Sequence, residues 1–155
     1  MTLMVPVSWG ELIDKITILE IKSREVSDEA KLANIRKELA MLAAVRDKES
    51  SARDELTELA RRLTEVNQRL WTIEDDIREC ERQRDFGGRF VELARAVYVT
   101  NDERAALKRR INELLGSALV EEKSYAAYAE HRFSLSPRTA GRVTEPRRTA
   151  SRSRR

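Results

Sequence analysis

The chain has 155 residues, 41% hydrophobic and 37% charged, with aromatics at 5%, so any core is thin and aliphatic, the kind that long amphipathic helices build by burying one stripe each. No apolar run approaches the ~20 residues of a membrane span, and Met1 to Pro6 has neither the basic start nor the apolar centre of a secretory signal; with one cysteine, Cys80, there is no disulfide framework and no multi-cysteine metal site. The net charge of +3 divides unevenly, because residues 134–155 hold seven arginines against one acid, Glu145, and so carry +6 while the remainder carries −3.

These values predict a soluble, cytoplasmic, all-α protein with two parts: a helical domain over 1–133 and a disordered Arg-rich tail over 134–155, where bulky apolar residues almost vanish. Glycine and proline are absent between Gly10 and Gly87, a stretch rich in good helix formers. Ser8 and Glu11 have capping-box spacing and predict a first helix there. Its apolar stripe is Leu12, Ile16 and Leu19. Ile13, Ile18 and Ile21 lie off that stripe, which implies burial on more than one side. Ser27 is placed to cap a second helix, with Asp28 and Glu29 in its first turn and Leu32, Ile35, Leu39 and Leu42 along its apolar face.

A third stretch reads Leu56, Leu59, Leu63, Val66, Leu70, Ile73, Ile77, Cys80. The unbroken 3-4 alternation is that of a coiled-coil seam. The two registers do not join, since continuing the earlier one would put Arg46, Glu49 and Arg53 in a core. Either a tight turn near Ser50 and Ser51 folds the two helices into a long antiparallel hairpin, or one helix changes face; the register break favours the hairpin. Phe86-Gly87-Gly88 ends the seam. A short helix holding Phe90, Leu93, Val97 and Tyr98 follows, then a cap at Thr100 or Asn101. The next helix carries Leu107, Ile111, Leu114 and Ala118, with Gly116 as a break or kink and Tyr125 and Tyr128 as an extension.

The block Val7 to Lys22, reading VSWGELIDKITILEIK, resembles the opening of a bacterial family that carries only a domain-of-unknown-function label. Val66-Asn67, Leu70-Trp71, Ile73 to Arg78, and the stretch from Leu93-Ala94-Arg95 to Ile111-Asn112-Glu113-Leu114 share the resemblance. It spans about residues 7 to 128. It implies a cytoplasmic helical protein associated with glycosyltransferase and surface-polysaccharide gene regions, and it brings no assigned activity and no catalytic residue.

Among residues that could carry chemistry, Asn67, Trp71, Glu74 and Arg78 are spaced 4-3-4 and line one helix face beside the seam. Arg104, Lys108 and Asn112 make a similar stripe, Arg95 and Tyr98 lie between, and Glu11 and Lys15 on the first helix could join them. Converging stripes would form a pocket with a tryptophan wall, a carboxylate and several cations, suited to an anionic metabolite such as a sugar phosphate or nucleotide-sugar, because guanidinium groups bind phosphate and carboxylate bidentately. Glu74 is then the first candidate acid or base. Against this stands a plainer account: Glu74–Arg78 and Glu11–Lys15 are ordinary i,i+4 pairs, and Trp71 covers the edge of the core. Glu74-Asp75-Asp76 point about 100° apart in a helix and do not make a metal site. No cofactor motif is present. The arginine tail offers only weak, salt-sensitive contact with nucleic acid. The first functional expectation is therefore a non-enzymatic helical interaction or scaffold protein with a protein partner or with itself, its seam being the natural self-association surface. A small helical enzyme or binding protein for an anionic metabolite is the alternative.

Overall fold

The computed structural model describes residues 3–49 and 54–124. They form four helices, α1 (Trp9–Glu25), α2 (Glu29–Glu49), α3 (Asp54–Gln83) and α4 (Gly88–Leu115). No strand occurs among the described residues, and none of their helices is long and apolar enough to cross a membrane. The turn expected near Ser50 and Ser51, the extension through Tyr125 and Tyr128, and the tail lie outside the described residues.

The seam places α3. Leu56, Leu59, Leu63, Val66, Ile73 and Cys80 are buried, and the partner they meet is α4. One cluster joins them to Ile13, Leu107 and Ile111; a second, further along, joins Ile73 and Cys80 to Leu93 and Ala96. The long hairpin is thus α3–α4, the most extensively packed pair, and among the described residues α2 packs against α1 alone. The expected hairpin of α2 on α3 has no contacts among the described residues. Six of the eight seam residues are buried within the chain, and Leu70 and Ile77 are half-buried.

The hairpin turn explains itself locally. Arg84 adopts a left-handed conformation with φ 52°, which lets the Asp85 N–H reach the Cys80 carbonyl at 2.9 Å and close α3 as in a Schellman motif. α4 then runs unbroken. The cap expected at Thr100 or Asn101 is absent, because Thr100 is buried against the hairpin and the helix continues through it. Gly116, at φ 62° and ψ 42°, ends α4 and does not kink it.

α1 starts where the capping box put it, with the Ser8 side chain accepting from the Glu11 N–H at 3.2 Å. It crosses the hairpin obliquely, from α4 at its start, where the Gly10 N–H reaches Asn112, to α3 at its end, where Gln68 reaches Glu25 at 3.4 Å. Leu12, Ile13, Ile16, Leu19 and Ile21 are all buried, since α1 lies between the hairpin on one side and α2 on the other. Asp28 caps α2, its carboxylate accepting from the Lys31 N–H at 2.9 Å; the expected cap at Ser27 is one residue too early. Leu32 is buried and Ile35, Leu39 and Leu42 are half-buried, as the apolar face of α2 requires.

Candidate functional site

Gly10 lets α1 touch α4. A Cβ there would lie 2.5 Å from the Lys108 carbonyl oxygen, so only glycine fits, and the Gly10 N–H donates to Asn112 Oδ1 at 2.6 Å. One turn on, Asp14 enters the space between α1, α3 and α4, with 1% of its side chain exposed. Arg104 grips it with two bonds, Nε to Oδ1 at 2.9 Å and Nη2 to Oδ2 at 2.5 Å. Asn67 divides its amide hydrogens between Asp14 Oδ1 and Thr17 Oγ1, both at 2.9 Å. The Thr17 hydroxyl donates back to the Asp14 carbonyl at 2.8 Å. A carboxylate this deep is tolerable only when it is paired and hydrogen-bonded, and here α3 and α4 supply its partners.

Lys108, one turn beyond Arg104, extends the network. Its ammonium donates to Glu11 at 2.6 Å and to Glu121 at 2.8 Å, and lies 4.0 Å from Asp14. Burial pushes the Lys108 pKa down, but the hydrogen bonds it donates to Glu11 and Glu121, with the nearby charges of Asp14 and Glu11, outweigh it and the net direction is up. Arg104 also moves up, through its hydrogen bond to Asp14 against the opposing effect of burial. Glu121 moves down, through its hydrogen bond from Lys108. The network holds its charges in place.

Where α1 crosses the hairpin it leaves a step, and beneath the step is a cleft of about 410 Å³. Five of the residues singled out from the sequence line it: Asn67, Trp71, Glu74, Arg78 and Arg104. Lys22, Asp75 and Asn101 join them. Glu74 pairs with Arg78 at 3.2 Å on an exposed helix face. The other expected residues are elsewhere. Glu11, Lys108 and Asn112 belong to the network and do not line this cleft. Lys15 points to α2, paired with Glu38 at 2.7 Å. Arg95 and Tyr98 contact each other at 3.4 Å outside the cleft. In the acidic run Glu74 pairs with Arg78 and Asp76 with Arg89, while Asp75 lines the cleft beside Glu74; no group of metal-ligating side chains occurs among the described residues.

Sequence reasoning missed Asp14, Thr17 and Glu121. The signal for Asp14 was available: a lone acid one turn from Gly10, set among isoleucines on a helix whose apolar residues occupy more than one side. For Glu121 there was no signal, because it follows the Gly116 turn, and only the path after that turn returns it to Lys108.

The other face of the α3–α4 hairpin, away from α1, carries a longer groove of about 990 Å³. Val66, Ile73, Leu93 and Leu107 form its floor; Arg62 and Arg110 stand on its rim. Ion pairs between Arg69 and Glu103 and between Arg89 and Asp76, the latter at 2.7 Å, join the two helices along it.

The chain belongs to a family of unknown function (DUF6165), whose model matches residues 3–142. The match is wider than the stretch that carries the sequence resemblance and runs into the arginine-rich segment. No curated protein and no solved structure matches the chain.

Proposed function

We propose that this protein is a non-enzymatic helical interaction protein that associates with itself through the open face of the α3–α4 hairpin. The observation that carries this reading is the groove of about 990 Å³ on the face that α1 leaves uncovered. Its floor is aliphatic and its rim is mixed in charge and rich in arginine, and helical modules commonly recognise one another by laying a helix into such a surface. Exposed apolar residues at one end of the molecule add to it. Leu3, Met4, Val5 and Val7 precede α1, Leu119 and Val120 follow α4, and bonds from Gly10 to Asn112 and from Trp9 to Ser117 bring the two segments together. A bacterial, cytoplasmic setting accompanies the reading, on the strength of the sequence resemblance.

The test is sedimentation velocity across a concentration series. The wild-type chain should show a dimer that dissociates on dilution. Ala106→Arg places a charged side chain in the groove from an exposed position and should give a monomer with an unchanged melting temperature. A wild-type chain that is monomeric at every concentration, or an Ala106→Arg variant that dimerises as before, overturns the proposal.

A further inference from the structure

The cleft under the α1 step lies on the opposite face of the hairpin from the groove, and the two share no lining residue. Its chemistry is distinct. Trp71 presents a half-buried indole, a flat apolar wall with a polar N–H at one edge. Lys22, in the last turn of α1, and Arg78, on α3, bring two cations to the rim. Among the described residues, neither the Lys22 ammonium nor the Trp71 indole N–H has a hydrogen-bond partner. Arg78 is held on an exposed face by the Glu74 backbone carbonyl at 2.9 Å and the Glu74 carboxylate at 3.2 Å; the ion pair is screened by solvent and open to a competing anion. The back of the cleft is rigid, because Asn67 and Arg104 are fixed there by Asp14. A volume of about 410 Å³ is within the range of small-molecule sites.

Two carboxylates limit what can enter. Glu74 and Asp75 also line the cleft, so a ligand with more than one anionic group would be repelled, while hydroxyl groups would find acceptors. We infer that the cleft binds a hydroxylated ring bearing a single carboxylate or phosphate. The ring lies against Trp71, its hydroxyls donate to Glu74 and Asp75, and its anionic group sits between Lys22 and Arg78. Arg104 is a positioning residue in this account: its Nε and Nη2 donate to Asp14, and its Nη1 donates to Asn101 at 3.4 Å.

The chain has two tryptophans, so full-length Trp9→Phe makes Trp71 the sole indole reporter. Its emission is titrated with glucose 1-phosphate and with glucuronate, and separately with glucose and with inorganic phosphate. The expected result is a saturable change with glucose 1-phosphate, glucuronate or both, and none with the two controls. Lys22→Ala and Arg78→Ala should each weaken that binding by about tenfold, the loss expected for one charge-assisted hydrogen bond, with melting temperatures unchanged. Trp9 packs against the core; if Trp9→Phe lowers the melting temperature, the difference between wild type and Trp71→Phe reads the same signal. Flat emission with all four compounds overturns the inference. So does a response that survives the Lys22→Ala/Arg78→Ala double variant, and an equal response to inorganic phosphate alone overturns the ring assignment.

Discussion

Asp14 and Arg104 are unequal partners, and the inequality sets what each substitution does. The carboxylate has 1% of its side chain exposed and the guanidinium 28%. Arg104→Ala leaves a buried charge with only Asn67 to bond it and should destabilise the fold by about 3–5 kcal/mol. Asp14→Asn keeps the shape and the acceptor for Asn67 and leaves Arg104 within reach of water, so the cost should be about 1–3 kcal/mol. Urea unfolding of the two variants tests the order, and Asp14→Asn proving the more damaging would refute this account of the pair. Lys108 supplies a second handle, through pH. Its folded pKa lies above the ordinary 10.5, so its stabilising effect is complete below that value and is lost as pH rises through the raised one. Glu121 lies below the ordinary 4.5, so its effect is present above that value and is lost as pH falls through the lowered one. Lys108→Met removes both dependences. Melting temperature plotted against pH should fall less steeply at both extremes in this variant than in the wild type.

Among the helices, α2 is the exception, because α1 is its only neighbour among the described residues. Leu32 is its one buried large side chain, and Met41 and Val45 are 49% and 46% exposed. A helix with so few buried contacts opens without the rest of the fold. Hydrogen exchange should therefore release the amides of α2 well before those around Leu59, Leu63 and Ile111, and equal protection across all four helices would show that α2 is held by something more than α1. The junction of α1 with α4 is the opposite case. Gly10→Ala drives a methyl group into the Lys108 backbone and should cost about 1–3 kcal/mol, seen as a lowered melting temperature. These elements were unequally legible in the sequence. The seam of α3 and the start of α1 could be read because spacing and capping are local. The partner of α3 could not, since Leu59 and Leu63 would bury equally well against Leu39 or Leu107. Thr100 and Asn101 read as a cap because both residue types favour that position, and only the packing of the hairpin draws the helix through them. In the site, Asn67, Trp71, Glu74 and Arg78 came out together because one helix carries them. Asp14 did not, because its partners lie on two other helices.

At the scale of the molecule, the hairpin is a two-sided plate. α1 and the step cleft occupy one face, and the groove occupies the other. If the two surfaces act independently, Ala106→Arg should abolish dimerisation and leave the Trp71 titration unchanged. A change in both would show that α3 couples them. The same arrangement has a consequence in time. Asp14 and Arg104 are 90 residues apart, and a ribosome adding about 5–20 residues per second needs roughly 5–18 s to cover that distance. Until α3 follows, the newborn α1 has only α2 to lie against, and until α4 follows, Asp14 lacks Arg104 and Ile13 has yet to meet Leu107 and Ile111. The first helix made is the last to find its seat, so a nascent chain stalled before Arg104 presents a greasy amphipathic hairpin to whatever guards the exit tunnel.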